Sequence, residues 1–316
     1  MASIASVSAI VPTRDRPELC AQAVRSALEQ RFPELEVIVV DDGSRDADAV
    51  RRAVQIDHRV RVVRLDASGG VAAARNRGIE AATGEWIALL DDDDLWAPRK
   101  LAAQLDLAAG ARLECVYTDF ALVDLERRIT RLAQAPDPGE VKAVVRRHSP
   151  LHAGTCTVMV RADRLRSVGC FDERLRQLAD WELWLRLLPG LELGRCPRIL
   201  AARTEDSKNM LAATTQSLRE ELRYMVQKHR LEDELDQAHF EAWITSWHRR
   251  SGRRRSASLG YLRLARERRS VLDAARAVGV LVGERFMDAA RGRVGRRRGL
   301  PRTWRELVAD EAERSA

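Results

Sequence analysis

The chain has 316 residues, of which 45% are hydrophobic, so it can form a packed core and is not a disordered chain. Its 54 basic and 47 acidic residues give a net charge of +7, and its five cysteines are scattered without a CxxC pair, which argues against a disulfide scaffold or a zinc knuckle and predicts a reducing compartment. No apolar run approaches the roughly 18 residues of a transmembrane helix, and the N-terminus lacks the basic region of a signal peptide.

The first 120 residues alternate between two hydrophobic periodicities. Short runs rich in Val and Ile predict strands at 6–11, 36–40, 60–65 and 86–90. Apolar residues at helical spacing predict helices at 17–30, 47–54 and 71–82, and a further helix from Pro98 to about Gly110. This alternation predicts an α/β fold whose mainly parallel, Rossmann-like sheet is flanked by helices. Residues 115–205 mix strands with short helices, and the pattern from about 212 onwards is mostly helical.

The charge is distributed unevenly along the chain. Residues 1–215 carry 31 basic and 32 acidic residues, whereas residues 216–316 carry 23 basic and 15 acidic residues. Between 249 and 305 there are 18 Arg and only four acidic residues. We therefore predict two functional regions, an α/β domain over 1–210 and a helical, basic C-terminal region over 211–316.

Acidic residues follow two of the predicted strands. Asp41 and Asp42 come after the second strand, and the run Asp91–Asp94 comes after the fourth. Ligands of open α/β sheets bind at the carboxyl ends of strands, but the GxGxxG and P-loop patterns are both missing after the first strand. Neighbouring carboxylates repel by about 1–4 kcal/mol per pair, and a hard cation such as Mg²⁺ removes that cost. A solvated acidic turn is the alternative, but four carboxylates beside a second acidic pair favour a metal site.

Two further segments carry candidate chemistry. Gly69 and Gly70 open a predicted helix that contains Arg75, and a helix N-terminus with glycine access can bind phosphate. Asp180 lies in the first turn of an amphipathic helix beginning near 176, where it either caps the helix or supplies a catalytic carboxylate.

Five motifs then occur in order between about 7 and 204. They are PTRD (12–15), VVDDGS (39–44), ARNRG (74–78), LDDDDLW (90–96) and DWELWLR (180–186). Together they resemble the family 2 glycosyltransferases of the GT-A fold. The resemblance implies an inverting glycosyltransferase that moves a sugar from a nucleotide-diphospho-sugar to an acceptor hydroxyl with Mn²⁺ or Mg²⁺. It also implies a role in surface polysaccharide or glycoconjugate biosynthesis, with the sugar, the base and the acceptor left open.

The resemblance assigns roles to individual residues. Asp42 matches the residue that binds the nucleobase, and Asp180 matches the catalytic base. Asp91 and Asp93 match the ends of the DxD motif, with Asp93 as a metal ligand. The donor-binding residues are completed by Pro12, Thr13 and Arg14 beside the base and ribose, Asp92 near the ribose, and Gly70 and Arg75 towards the phosphates. Three departures are Ser68 where the family often has Asn, Ala179 where Glu often precedes the base, and the lack of a His in 203–209.

Two other functions fit the same residues. A metal-dependent nucleotidyl or phosphoryl transferase also uses acidic strand ends, and a catalytically silent sugar-nucleotide-binding module would retain the donor site. Asp180 separates the transferase from the silent module. The product separates the first two, because glycosyl transfer releases a nucleoside diphosphate and nucleotidyl transfer releases pyrophosphate.

Three residues near the predicted site have both a functional and a structural interpretation. His152, in the same segment as Cys156, could line the acceptor pocket, but we favour a packed or surface position for it. Trp181 and Trp184 could stack on a sugar, but we favour core packing for at least Trp184.

The C-terminal region contains one amphipathic helix. Its apolar face is formed by Val271, Ala275, Val278, Val282, Phe286 and Ala289, with Arg269, Arg276 and Arg291 opposite. This face either packs on the catalytic domain or a second subunit, or lies on an anionic membrane where lipid-linked acceptors reside. Nucleic acid is not expected, because no binding motif or interleaved aromatic residue is present. We expect a cytoplasmic protein. If the basic helix binds a membrane, the protein would lie peripherally at the inner membrane face.

Overall fold

The computed structural model describes residues 5–32, 34–151, 154–205, 215–250, 252–282 and 301–313. The chain forms two compact units. The first contains residues 1–145, 149–205 and 302–316, and the second contains residues 146–148 and 206–301. This division begins five residues before the predicted boundary at 210, and it assigns the end of the predicted region 211–316 to the first unit.

The first unit combines nine described strands with helices. The strands are β1 (Val7–Thr13), β2 (Leu35–Asp41), β3 (Val60–Arg64), β4 (Trp86–Leu89), β5 (Leu95–Trp96), β6 (Cys115–Val123), β7 (Ile129–Ala133), β8 (Val158–Arg161) and β9 (Leu193–Thr204). The helices are α1 (Pro17–Leu28), α2 (Ala47–Val54), α3 (Val71–Ala81), α4 (Lys100–Ala111), α5 (Pro138–Val144), α6 (Ala162–Ser167) and α7 (Ala179–Leu187), followed by α12 (Trp304–Glu313) at the end of the chain.

All nine strands belong to one sheet with the order β3-β2-β1-β4-β8-β6-β9-β5, and β7 pairs with β6. The pairs β2–β3, β1–β2 and β1–β4 are parallel, as the βαβ alternation predicts. Beyond β4 the sheet becomes mixed, because β8 runs antiparallel to both β4 and β6. The predicted α/β class is confirmed, but the unbroken run of parallel strands ends at β4, and β6 and β9 form a further parallel pair within the mixed part of the sheet.

The core lies on both faces of this sheet. Every residue of β1 and of β6 is buried, as expected for strands that are covered on both faces. Helix α3 packs closely on β1, and a Cβ placed on Gly78 would lie 2.4 Å from Ile10 Cγ2. The glycine of the ARNRG motif is therefore required for helix–sheet contact.

Helix α12 packs in the core of the first unit. Trp304 and Leu307 belong to its buried apolar cluster. Ile129 at the start of β7 donates its N–H to Arg302 O at 2.8 Å, and Trp304 donates its N–H to Arg127 O at 3.0 Å. The basic region is thus followed by a segment that is part of the catalytic unit.

The second unit is helical over its described residues. Its helices are α8 (Thr215–His229), α9 (Gln237–Arg250), α10 (Arg254–Arg268) and α11 (Val271–Val282). Ala257, Tyr261 and Leu264 of α10 form a small core with Ala277 and Val280 of α11. Across the described residues of the whole chain, no helix combines the length and the apolar composition needed to span a membrane.

A lysine lies in the core of the first unit. Lys100, at the start of α4, is fully buried and donates from Nζ to Gln104 Oε1 at 2.8 Å, and Nζ lies 4.3 Å from the centre of the Trp96 ring. Burial lowers the pKa of Lys100 from 10.5 to about 7. The unfolded chain therefore binds one more proton than the folded chain between pH 7 and 10.5, so this residue makes stability rise with pH in that window.

Lys100→Met should remove this pH dependence. From pH 7 to pH 9, the free energy of unfolding of the wild type should rise by roughly 2–3 kcal/mol more than that of the variant, because each pKa unit corresponds to about 1.4 kcal/mol. Urea unfolding at both pH values measures this difference. Lys142→Met, at an exposed position of α5, is the matched control and should track the wild type. Equal pH dependence in the Lys100 variant would contradict a neutral buried amine.

Candidate active site

The carboxyl ends of β1, β2 and β4 meet at one edge of the sheet. Thr13 at the end of β1 lies beside Asp41 at the end of β2 in the parallel register. The acidic run follows β4, which is the other neighbour of β1. A turn then reverses the chain, since Asp94 donates its N–H to Asp91 O at 3.0 Å. The fold therefore collects the predicted residues of three separate motifs at one place.

Asp42 is buried and fixes the loop before α3. Its carboxylate accepts hydrogen bonds from Gly69 N–H at 2.7 Å, Gly70 N–H at 3.1 Å and Ser68 Oγ at 2.8 Å. Gly70 has a φ of +89°, which favours glycine. Its N–H donates to Asp42, although the sequence predicts it as a phosphate donor. Ser68, a departure from the family pattern, thus serves as a partner of the predicted base-binding residue.

The residues of the first motif line the same edge. Thr13 Oγ1 donates to Asp92 Oδ2 at 2.7 Å, and Arg14 Nη1 donates to Ser68 Oγ at 2.9 Å. Pro12 lies within β1 opposite Val40 of β2. The predicted donor-binding residues Pro12, Thr13 and Arg14 are therefore adjacent to both acidic strand ends.

Arg16 is a member of the site that the sequence analysis missed. It immediately precedes α1, and its guanidinium contacts two members of the acidic run: Nη2 lies 2.5 Å from Asp92 Oδ1, and Nη1 donates to Asp93 Oδ2 at 3.0 Å. Asp94 is bound differently, since its Oδ1 accepts the Thr204 N–H at 2.8 Å. The sequence offered one indication of this role: Arg16 lies two residues after Arg14, which was already assigned to the site.

Negative charge in the acidic run exceeds the positive charge around it. Burial raises the pKa of Asp92 to about 7, with repulsion from Asp93 adding to this effect and Arg16 opposing it. Burial and the neighbouring Asp91 also raise the pKa of Asp93, and burial with repulsion from Asp93 and Asp91 raises that of Asp94. Additional positive charge at this place would therefore stabilise the ionised carboxylates.

Arg75 joins the acidic run to the predicted catalytic base. Its guanidinium is buried, with Nη1 donating to Asp180 Oδ1 at 2.6 Å and Nη2 donating to Asp91 Oδ1 at 2.6 Å and to Thr155 Oγ1 at 2.9 Å. It also lies 5.2 Å from the centre of the Phe171 ring. Burial acts to lower the pKa of Arg75, but Asp180 and Asp91 outweigh burial and raise it. Arg75, which the sequence predicts as a phosphate-binding residue, therefore bridges two carboxylates in this structure.

Asp180 lies in the first turn of α7 without capping it. Leu178 is the N-cap residue and makes no side-chain hydrogen bond, so the capping alternative for Asp180 is wrong. The Asp180 side chain is 29% exposed, and a Cβ placed on Gly154 would lie 3.7 Å from its Oδ2. Burial raises the pKa of Asp180, Arg75 opposes this effect, and the charge of Asp91 adds to it. Asp180 is thus a positioned carboxylate with a raised proton affinity.

The neighbouring residues of α7 belong to the core. Glu182 is fully buried and accepts hydrogen bonds from Arg186 Nε at 2.9 Å and Nη2 at 2.6 Å, which excludes it as an alternative base. Trp184 is fully buried, as predicted, and Trp181 is also buried and donates from Nε1 to Val145 O at 2.7 Å. Neither tryptophan presents a face for sugar stacking.

Three remaining predictions concern the loops around the base. Cys156 is buried in a short 3-10 helix (Gly154–Thr157) that also carries Thr155. The positive charge of Arg203, the first residue of the segment 203–209, acts to lower the pKa of Asp180. His152 lies outside the described residues, as do the positions 206–209 of the segment where the family often has a His.

The acidic run does not form a closed metal cage. Within the described ranges, no group of three or more His, Cys, Asp or Glu side chains is arranged to hold a metal ion. Asp91 and Asp93 each contact a guanidinium, but their side chains are 34% and 19% exposed, unlike those of Asp92 and Asp94. These two carboxylates are therefore the members of the run that a ligand can reach.

Two curated proteins share part of this chain's sequence. TuaG of Bacillus subtilis, which is named for teichuronic acid biosynthesis, is 31% identical over 185 residues, or 58% of this chain and 71% of TuaG. The succinoglycan biosynthesis protein ExoO of Rhizobium meliloti is 36% identical over 129 residues, or 41% of this chain and 37% of ExoO.

Solved structures share the fold. S. aureus TarS in complex with UDP-GlcNAc superimposes with a TM-score of 0.59 at 20% identity, covering 78% of this chain and 72% of that one. The profile of the family described as Glycosyl transferase family 2 matches residues 8–168, which is just over half of the chain. The predicted GT-A fold is confirmed, and the chain belongs to glycosyl transferase family 2.

Proposed function

We propose that this glycosyltransferase transfers a sugar from a nucleotide-diphospho-sugar to an acceptor hydroxyl with inversion, in the synthesis of a surface polysaccharide or glycoconjugate. The proposal rests on one observation: Arg75 bridges Asp91 and Asp180. This bridge joins a single positioned carboxylate to the donor edge, by which we mean the edge of the sheet where β1, β2 and β4 end. Relatives named for teichuronic acid and succinoglycan synthesis support the polysaccharide role. Family membership disfavours the nucleotidyl-transfer alternative.

In this mechanism Asp180 accepts the proton of the acceptor hydroxyl as that oxygen attacks the sugar's anomeric carbon. Arg75 donates to one oxygen of Asp180, so it fixes the orientation of the carboxylate and leaves the other oxygen beside Gly154. A single displacement from the face opposite the leaving group inverts the anomeric centre. The leaving diphosphate needs charge stabilisation rather than an acid, so a second catalytic carboxylate is not required.

We also propose Asp93 and Asp91 as ligands of Mn²⁺ or Mg²⁺. The residues fit such an ion, because carboxylate oxygens are its preferred protein ligands, both side chains are partly exposed, and burial and mutual repulsion raise the pKa of Asp93. When bound, the ion supplies positive charge against the developing charge of the diphosphate. Arg16 and Arg75, which now contact these carboxylates, would share them with the ion.

The residues at the donor edge also account for the expected contacts with the sugar-nucleotide donor. We assign the nucleoside to Pro12, Thr13, Arg14 and Asp42, the ribose side to Asp92, and the diphosphate side to Gly70 and Arg75. Because the Gly70 N–H and the Arg75 guanidinium already have carboxylate partners, their share in donor binding requires that these bonds be exchanged or shared.

We place the enzyme in the cytoplasm, since none of the five cysteines, all of them among the described residues, forms a disulfide. A peripheral position at the inner face of a membrane would bring it to lipid-linked acceptors.

Asp93→Asn should abolish the Mn²⁺-dependent part of nucleoside diphosphate binding, because an amide is a far poorer ligand for a hard cation than a carboxylate. Isothermal titration calorimetry with UDP and GDP, each with and without Mn²⁺, measures this effect. Asp163→Asn, at an exposed position of α6, is the matched control. Unchanged metal dependence in the Asp93 variant would refute the assignment.

Asp180→Asn should lower turnover by roughly 10²–10⁴ while donor affinity stays within about twofold, because the variant loses only the proton acceptor. Asn can still accept the hydrogen bond from Arg75, so the variant should fold, which thermal unfolding checks. Asp106→Asn on the exposed side of α4 is the control.

In the wild type, turnover should rise with pH through the pKa of Asp180, which lies above the ordinary value of 3.8, because only the ionised carboxylate accepts a proton. This acidic limb should be missing in the Asn variant. Donor binding without any transfer by the wild type would indicate the silent binding module, and pyrophosphate release would indicate nucleotidyl transfer.

A further inference from the structure

The exposed side of α10 combines apolar and basic residues. Leu259 and Leu262 are 56% and 50% exposed, although the opposite side of the helix already forms the core of the second unit through Ala257, Tyr261 and Leu264. The two leucines therefore contribute nothing to that core. Large exposed apolar side chains that are grouped on one face mark an interaction surface.

Three arginines surround these leucines. Arg255 and Arg263 lie four residues before and after Leu259, and Arg266 lies four residues after Leu262, so all five side chains share one helix face. All three arginines are exposed. We call these five residues the α10 face.

The arginines of the α10 face have no ion-pair partner among the described residues, although Glu267 lies four residues after Arg263. Among the described residues, none of the three forms an ion pair or a side-chain hydrogen bond with a carboxylate. Other exposed arginines of the chain are paired, such as Arg128 with Asp124 and Arg174 with Asp172. The positive charge of the α10 face is therefore available to an external anionic partner.

Helix α11 adds exposed apolar side chains. Val271 is 85% exposed, and Leu272, Val278 and Leu281 are also more than half exposed. The apolar face predicted here from the sequence is thus exposed at Val271 and Val278, while Ala277 and Val280 face the core. Residues 254–282 contain seven Arg against Glu267 and Asp273, so these exposed aliphatic residues lie in a basic segment.

We propose that the α10 face binds the surface of an anionic lipid bilayer, with its leucines in the interface and its arginines on the lipid phosphates. A bilayer interface accommodates apolar side chains and neutralises basic ones at the same time, whereas an acidic polymer would leave the leucines in water. The proposal is independent of the transfer reaction, because membrane binding involves neither the donor nor Asp180.

Co-sedimentation of the full chain with vesicles tests the proposal. The wild type should bind vesicles of phosphatidylcholine and phosphatidylglycerol at low salt and should bind pure phosphatidylcholine vesicles at least tenfold more weakly. Each basic residue near an anionic surface changes partitioning by about fivefold, and salt screens this attraction. Arg255→Gln/Arg263→Gln/Arg266→Gln should therefore lower binding to the anionic vesicles by more than tenfold.

A second variant, Leu259→Gln/Leu262→Gln, separates insertion from charge attraction. It should lose the binding that survives at high salt, because that part comes from the apolar side chains. The matched control is Arg25→Gln/Arg51→Gln/Arg131→Gln, which removes the same charge from exposed positions of the first unit and should bind as the wild type does. Thermal unfolding and UDP binding should be unchanged in all three variants.

Several outcomes would overturn the proposal. Equal binding by the wild type and both α10 variants would place the contact elsewhere, and equal losses in the control would show non-specific charge attraction. A wild type that does not sediment with anionic vesicles but forms dimers that the leucine variant disrupts, as measured by light scattering, would assign the α10 face to contact between two copies.

Discussion

A buried guanidinium is the constraint on which the rest of the active site depends. Arg75 cannot lie unpaired in the interior, because an uncompensated buried charge is strongly destabilising. Its partners, Asp91 after β4 and Asp180 on α7, come from elements 89 residues apart in the chain. Both carboxylates accept hydrogen bonds from it, so a single buried cation fixes the position of a carboxylate on each of two distant elements. Asp180 is thus oriented by the same residue that contacts the acidic run.

The acidic run shows how one short segment can serve several purposes. Asp92 and Asp94 point inwards, where Thr13 and the backbone of Thr204 bind them and fix the turn. Asp91 and Asp93 alternate with them and remain partly exposed. The inward pair fixes the backbone, and the outward pair keeps charge that the neighbouring arginines only partly neutralise. A solvated acidic turn would lack this division, because all four side chains would be hydrated alike.

The sequence predicts most of the parallel half of the sheet, since each strand there is a local run with a local flanking helix. The motifs also predict which strand ends carry the site. Contacts between distant segments could not be predicted in the same way: nothing local indicates that Arg75 turns towards Asp180, or that Asp42 takes up the Gly70 N–H. Arg16 was missed for the same reason, because its role depends on how α1 begins relative to a turn some 75 residues later. The antiparallel strand β8 likewise depends on the return of the chain beside β4.

The path of the chain links the acidic turn to the helical unit. That unit is inserted between Glu205 and Arg302, and both ends leave the first unit at the β6–β7 hairpin: Glu205 donates its N–H to Val123 O at 2.8 Å, and Arg302 O accepts the Ile129 N–H. The same hairpin carries Arg127, whose Nη1 donates to Asp93 O at 2.7 Å and to Thr204 Oγ1 at 2.6 Å. The backbone at a candidate metal ligand is therefore bonded to the hairpin from which the helical unit emerges. Packing of α12 against the core of the first unit fixes the position at which the chain re-enters that unit.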